Sequence, residues 1–269
     1  MRTPRLAGLG LATMAAAALA LAGCDNGGAA STPGASAPAP GASATGSFGA
    51  ADPTAVAALS AATAKLGTTS FKVTATSGTG FKLTAAIDPA KGTGTADVVA
   101  SGPNAKLTVK TLLIDQDLYV QVPGVTKAGT WTHLDVSRLP EGANVGLRPG
   151  QIDPVNTAKL LDSATNVHAT GANSYAGTID LTKAVGLAGV DQVTIDEVGG
   201  QAQQVPFTVG LDDQGRLSVL TINLPAMGGQ QAQPLEVLYS DYGTPVTATR
   251  PAAAQITEAP DDFYRSLGG

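Results

Sequence analysis

From residue 71 onward the chain alternates apolar and polar positions with period two. Phe71, Val73 and Ala75 alternate with Lys72 and Thr74, and Phe81, Leu83, Ala85 and Ile87 alternate with Lys82 and Thr84. Leu107, Val109, Thr111 and Leu113 alternate with Lys106, Thr108 and Lys110. One apolar and one Lys/Thr face predicts antiparallel strands, wet on one side and covered on the other. Asp88-Pro89-Ala90-Lys91-Gly92 and Asp115-Gln116-Asp117 are turn signals between such runs, with Thr95 to Ser101 and Leu118 to Val122 as their neighbours. A looser stretch follows with Trp131, His133, Leu134 and Asp135. Further on the pattern predicts strands at Asn166 to Ala169 and Ser174 to Leu181, then a hairpin of Val205 to Leu211 and Arg216 to Leu224 around Asp212-Asp213-Gln214-Gly215. It also predicts a pair from Pro234 to Tyr242 and Val246 to Arg250 around Gly243-Thr244-Pro245.

Helical spacing interrupts this twice. Asp52-Pro53 is an N-cap followed by proline in the first turn, and Val56, Leu59, Thr63 and Leu66 recur at three- and four-residue spacing up to Gly67. Asp153-Pro154 repeats the signal before Val155, Ala158, Leu160 and Leu161. Shorter helices are expected at Thr182 to Leu187 and at Asp261 to Tyr264. Two to three helices against about ten strands predict an α+β fold, and a sheet that long curls as strand twist accumulates. The expectation is a strongly curved antiparallel half-barrel with the helices over its concave face.

The N-terminus departs from all of this. Arg2 and Arg5 precede an almost unbroken Ala/Leu/Gly run from Leu6 to Leu21, a signal segment too short for a membrane span. It closes on Leu21-Ala22-Gly23-Cys24, a bacterial lipobox, so residues 1–23 are read as a lipoprotein signal peptide and Cys24 as the acylated first residue of the product. At roughly 0.8 kcal/mol per buried methylene, two or three acyl chains hold a domain on a membrane. Residues 24–51, rich in Ala, Gly, Ser and Pro, then form a tether reaching about 25 to 30 Å by random-coil scaling. Residues 52–269 form a single domain, and the expected location is the outer face of the cytoplasmic membrane.

Charge and chemistry narrow the classes. The chain of 269 residues carries a formal charge of −5, and loss of Arg2 and Arg5 makes the product more acidic, which argues against nucleic acid as a partner. One cysteine excludes an internal disulfide. His133 and His168 fit no metal-ligand spacing, and no nucleophile elbow, phosphate loop or dinucleotide fingerprint occurs, so neither catalysis nor a cofactor nor a metal is expected. His133 and His168 are read as surface or loop residues, and Asp115, Asp117, Asp212 and Asp213 as turn residues. From pattern alone, the apolar face is either an ordinary core or the wall of a cavity.

The lipobox, the tether, the helix ending Ala64-Lys65-Leu66-Gly67 before Ser70-Phe71-Lys72-Val73, the entry Asp115-Gln116-Asp117-Leu118-Tyr119-Val120, Trp131, the Asp153-Pro154 helix and the closing Tyr239-Ser240-Asp241-Tyr242-Gly243 together resemble the LppX/LprAFG family of mycobacterial and actinobacterial cell-envelope lipoproteins, whose fold is similar to the LolA/LolB carriers. That resemblance implies a half-barrel enclosing an apolar cavity for acyl chains of lipids or glycolipids, a carrier role without catalytic residues, and an envelope transporter or acceptor protein as a candidate partner. The residues expected to line the cavity are Val56, Leu59, Leu66, Phe71, Val73, Leu83, Ala85, Ile87, Ala96, Val98, Leu107, Val109, Tyr119, Trp131, Leu160 and Leu161, with Tyr119 and Trp131 either at its mouth or in the core. The competing reading is a solid-cored envelope adaptor that binds a protein or polysaccharide on its outer surface.

Overall fold

A computed structural model describes residues 51–101, 106–124, 126–139, 147–148, 151–183, 192–226 and 231–266. The lipobox and the tether up to residue 50 lie outside them, as do the expected helical residues 184 to 187.

The first half of the domain is a meander. Strands β1 (Phe71–Ser77), β2 (Phe81–Asp88), β3 (Thr93–Ser101), β4 (Lys106–Ile114), β5 (Asp117–Gln121) and β6 (Trp131–Asp135) each pair antiparallel with the next. The turns obey their chemistry. Asp88 caps the Pro89–Lys91 turn, which Gly92 ends at φ 62°. A short β7 (Leu147–Arg148) and β8 (Gln151–Ile152) hairpin stands apart from the main sheet.

The second half comprises β9 (Ala164–Gly171), β10 (Ser174–Ile179), β11 (Val205–Leu211), β12 (Leu217–Leu224) and β13 (Gln233–Ser240), again antiparallel in sequence. Asp212 makes the β11–β12 hairpin: its carboxylate accepts from the N–H groups of Gln214 and Arg216 at 2.9 Å each and pairs with the Arg216 guanidinium. The two halves join where β1 pairs with β13, and β14 (Ile256–Glu258) adds to β6 in parallel. The product is one open sheet of twelve strands, ordered β14-β6-β5-β4-β3-β2-β1-β13-β12-β11-β10-β9, antiparallel throughout except for that last pair.

Helices α1 (Pro53–Ala64), α2 (Thr157–Asp162) and α3 (Gln192–Val198) contribute to the same core as one face of the sheet, and α4 (Asp261–Ser266) follows β14. Asp52 caps α1 by accepting from the Thr54 N–H at 2.8 Å. The helix runs out through a 3-10 turn at Lys65–Gly67 rather than through a left-handed glycine. There Lys65 Nζ donates to the Gln214 and Gly215 carbonyls, fastening α1 to the β11–β12 turn. The buried stripe of α1 is Ala55, Leu59 and Ala62, extended by Leu66, because small residues let the helix lie close to what it covers. Val56, expected on that stripe, is 43% exposed.

The Asp153 carboxylate accepts from the Val155 and Ala158 N–H groups as expected, but α2 starts later, behind Asn156 at φ 54°. Two other expectations are corrected. Trp131–Asp135 is a full strand, and Val246 to Arg250 is not one. After β13, the Gly243 N–H donates to Ser70 O and the Ser70 hydroxyl to Thr244 O, while the Tyr242 hydroxyl donates to Leu217 O. These bonds hold the chain against the start of β1 instead of letting it turn back along β13.

Candidate functional site

The cross-strand register sorts the covered face of the meander into rows. The first, Phe71–Ile87–Gly94–Leu113–Leu118–Leu134, is buried from end to end. In the second, Val73 and Ala85 are buried while Ala96, Thr111 and Val120 are half-buried. The third passes from buried Ala75 and Leu83 to half-buried Val98 and Val109. The fourth, Ser77–Phe81–Ala100–Leu107, has no buried member, and Leu107 is 46% exposed. The apolar face therefore continues beyond the cover that the described residues give it, on β2, β3 and β4.

A cavity of about 20 Å³ lies among Ala85, Gly94, Ala96, Thr111, Leu118 and Pro154. That is room for about one water molecule and far too little for an acyl chain.

The expected lining residues fall into three groups. Leu59, Leu66, Phe71, Val73, Leu83, Ala85, Ile87, Leu160 and Leu161 are buried together in one core, with Ala96 and Val98 packed against it. Val109 is half-buried, and Leu107 and Val56 are exposed. Tyr119 and Trp131 belong elsewhere. Tyr119 lies opposite His133, one residue out of phase with the Leu118–Leu134 pair, and Trp131 shares the parity of His133. Both point to the face away from the core and line no part of it, which corrects their placement at a cavity mouth. Cys24, Leu21, Ala22 and Gly23 lie outside the described residues.

On that opposite face stands a cluster not expected from the sequence. His133 bridges two carboxylates: Nε2 lies 2.8 Å from Asp117 Oδ1, and Nδ1 lies 2.7 Å from Glu258 Oε2. Its ring packs on Tyr119 with centroids 5.1 Å apart, and Arg250 reaches over the same tyrosine to pair with Asp117. Partial burial opposes protonation of His133, but its hydrogen bonds to Glu258 and Asp117, with their charges, outweigh that and hold its pKa above the ordinary value. Burial and the neighbouring Asp117 push the Tyr119 hydroxyl up, and among the described residues that hydroxyl has no hydrogen-bond partner. His133 is thus no loop residue and Asp117 no mere turn residue. Its partner Glu258 is remote in sequence, so only the register of β5, β6 and β14 shows the contact.

The cluster fastens the C-terminal segment to the sheet edge. Beyond it the Ala259 N–H donates to His133 O, the Tyr264 hydroxyl accepts from the Asp135 N–H, and Arg138 pairs with Asp261 while stacking 4.2 Å over the Tyr264 ring. His168 sits half-buried on β9 with Nδ1 2.9 Å from Asn166 O. Among the described residues no group of three or more His, Cys, Asp or Glu could hold a metal ion, and no helix is long and apolar enough to cross a membrane.

These features define the class as an α+β protein built on one large, open, mostly antiparallel sheet with an apolar face only partly covered. No family model matches the chain, and no curated protein matches it either.

Proposed function

We propose that this chain is a lipoprotein, anchored through acylated Cys24 to the outer face of the cytoplasmic membrane, whose domain binds the acyl chains of a lipid and carries or presents them in the cell envelope. The sheet is read as a curved half-barrel with helices over its concave face. The observation that carries the reading is the uncovered continuation of that face: Phe81, Ala96, Val98, Leu107, Val109 and Val120 form an apolar surface on β2–β5 that is half-buried to exposed. Apolar surface left open to water costs roughly 25 cal/mol per Å², so a contiguous patch favours an apolar occupant. Acyl chains lie along this open end, because the small cavity beside Ala85, Gly94 and Pro154 admits none. The site needs no catalytic group, metal or cofactor.

The test uses the mature chain with Cys24→Ser, so that its own acyl groups do not confuse the readout. After incubation with phospholipid vesicles and re-isolation, mass spectrometry of an organic extract is expected to find lipid in stoichiometric amount. Val98→Trp is expected to reduce that loading several-fold, and Lys110→Ala, on the polar face, to leave it unchanged. Absence of lipid from the unsubstituted chain, or equal loading of all three proteins, overturns the proposal.

A further inference from the structure

A second concavity lies at the far end of the later strands. A cleft of about 620 Å³ is walled by the 3-10 segment Gly199–Gln204 on one side and by the start of β11, the end of β12 and the start of β13 on the other. The volume falls within the range of small-molecule sites. Its lining includes the amide residues Gln201, Gln204 and Gln233, the last on the same face of the sheet as Leu224, with Val205 and Leu224 as apolar surface and Pro206, Pro225 and Pro234 stiffening the walls.

We infer that this cleft binds an uncharged, polyhydroxylated group, a sugar or polyol. Among the described residues no lysine, arginine, histidine, aspartate or glutamate lines it, so none of them would repay the desolvation of a phosphate, a carboxylate or an amine. Each side-chain amide offers both a donor and an acceptor, which matches a hydroxyl that is also both. The prolines weigh against an extended peptide, since Pro206, Pro225 and Pro234 present no N–H to a backbone ladder. The cleft also adjoins the open apolar surface. Gln233, paired with Leu224 across β12 and β13, lays its amide over Gly78 in the β1–β2 turn, where an added Cβ would collide with it, and Phe81 begins the next strand. A polyol held at Gln201, Gln204 and Gln233 could therefore be free, or be the headgroup of a lipid whose chains lie as proposed above; the second form rests on that proposal and the first does not.

Calorimetric titration of the mature Cys24→Ser chain separates the two. The probes are maltose, dodecyl maltoside and dodecyl phosphocholine, the detergents kept below their critical micelle concentrations. The expected result is binding of maltose and at least tenfold tighter binding of dodecyl maltoside than of dodecyl phosphocholine. Gln201→Leu with Gln204→Leu should abolish that preference. Gly200→Trp should do so as well, because a Cβ at Gly200 meets nothing within 4 Å and the indole can fill the cleft without disturbing the core. Unchanged urea midpoints show that the variants remain folded. Equal affinity for the two detergents, or a preference that survives Gly200→Trp, overturns the cleft site while leaving acyl binding intact. Binding of maltose that the dodecyl chain does not strengthen keeps the cleft and refutes its link to the acyl surface.

Discussion

Replacement of His133 by glutamine keeps an uncharged hydrogen-bonding side chain in the cluster and removes the titrating charge. In the native protein that charge faces Asp117 on β5, 28% exposed, and Glu258 on β14, 71% exposed, with Arg250 on the far side of Asp117 and Asp135 further along β6. The Glu258 contact is solvent-screened and contributes about 0.2–1 kcal/mol. The Asp117 contact is better shielded, and a hydrogen bond between charged groups there contributes about 1.5 kcal/mol, reduced because Arg250 still satisfies Asp117 in the variant. His133→Gln should therefore cost about 1–2 kcal/mol at pH 6. In a domain of this size that lowers Tm by about 3 to 6 °C. Because the folded pKa of His133 is raised, its contribution is fully present below the unfolded value of about 6.5 and is lost as pH rises through the folded pKa. Urea unfolding of both proteins at intervals from pH 6 to 9 should show two stability curves that converge as pH rises, with a smaller gap at high salt. A gap that is constant with pH, or that widens toward pH 9, would refute the charge-bridging account.

Three further outcomes follow from packing and local geometry. Leu160→Ala, at a side chain 1% exposed in the core, should cost about 2–5 kcal/mol in urea unfolding. Gly177→Ala on β10 would place a methyl 2.8 Å from both Phe207 Cε1 and Thr165 O; since Thr165 O is backbone on the neighbouring strand, the cost should be about 1–3 kcal/mol, with amide exchange accelerated along β9 and β10. Asp52→Ala removes the α1 cap and should cost about 1 kcal/mol, provided the Thr54 N–H is left without its acceptor, seen as a loss of helical ellipticity before global unfolding.

The period-two runs with lysine and threonine on one face predicted β1 to β5 and the β11–β12 hairpin because both faces of those strands are chemically marked. β6 escaped that reading since Trp131-Thr132-His133-Leu134-Asp135 places only Leu134 in the core and spends the other face on the charged cluster. β14 escaped because three residues carry no period. Val246 to Arg250 alternates convincingly yet makes no strand: Tyr242 is tethered to Leu217, and prolines flank the stretch at 245 and 251. In α1 the conflict lay between size and hydrophobicity. Ala55 and Ala62 went inward and Val56 outward, because close approach rewards a small side chain over a larger apolar one. The apolar band on β2, β3 and β4 was visible in the sequence, but how far the helices cover it was not, since cover depends on where distant segments land. The His133 bridge and the amide-lined cleft each join segments remote in the chain, and neither leaves a local mark.

The ladder between β1 and β13 joins residues separated by more than half the chain, Lys72 to Ser240 at one end and Ser77 to Leu235 at the other. Every other antiparallel ladder in the sheet links strands adjacent in sequence or nearly so. Each half can thus assemble from local hairpins, whereas the seam must wait for a long loop closure. Until β13 arrives, β1 is an unprotected edge with Phe71, Val73 and Ala75 on one side of it. Kinetic competition at that edge, between its own β13 and the β1 of a neighbouring chain, would set how concentrated this protein can be while it folds.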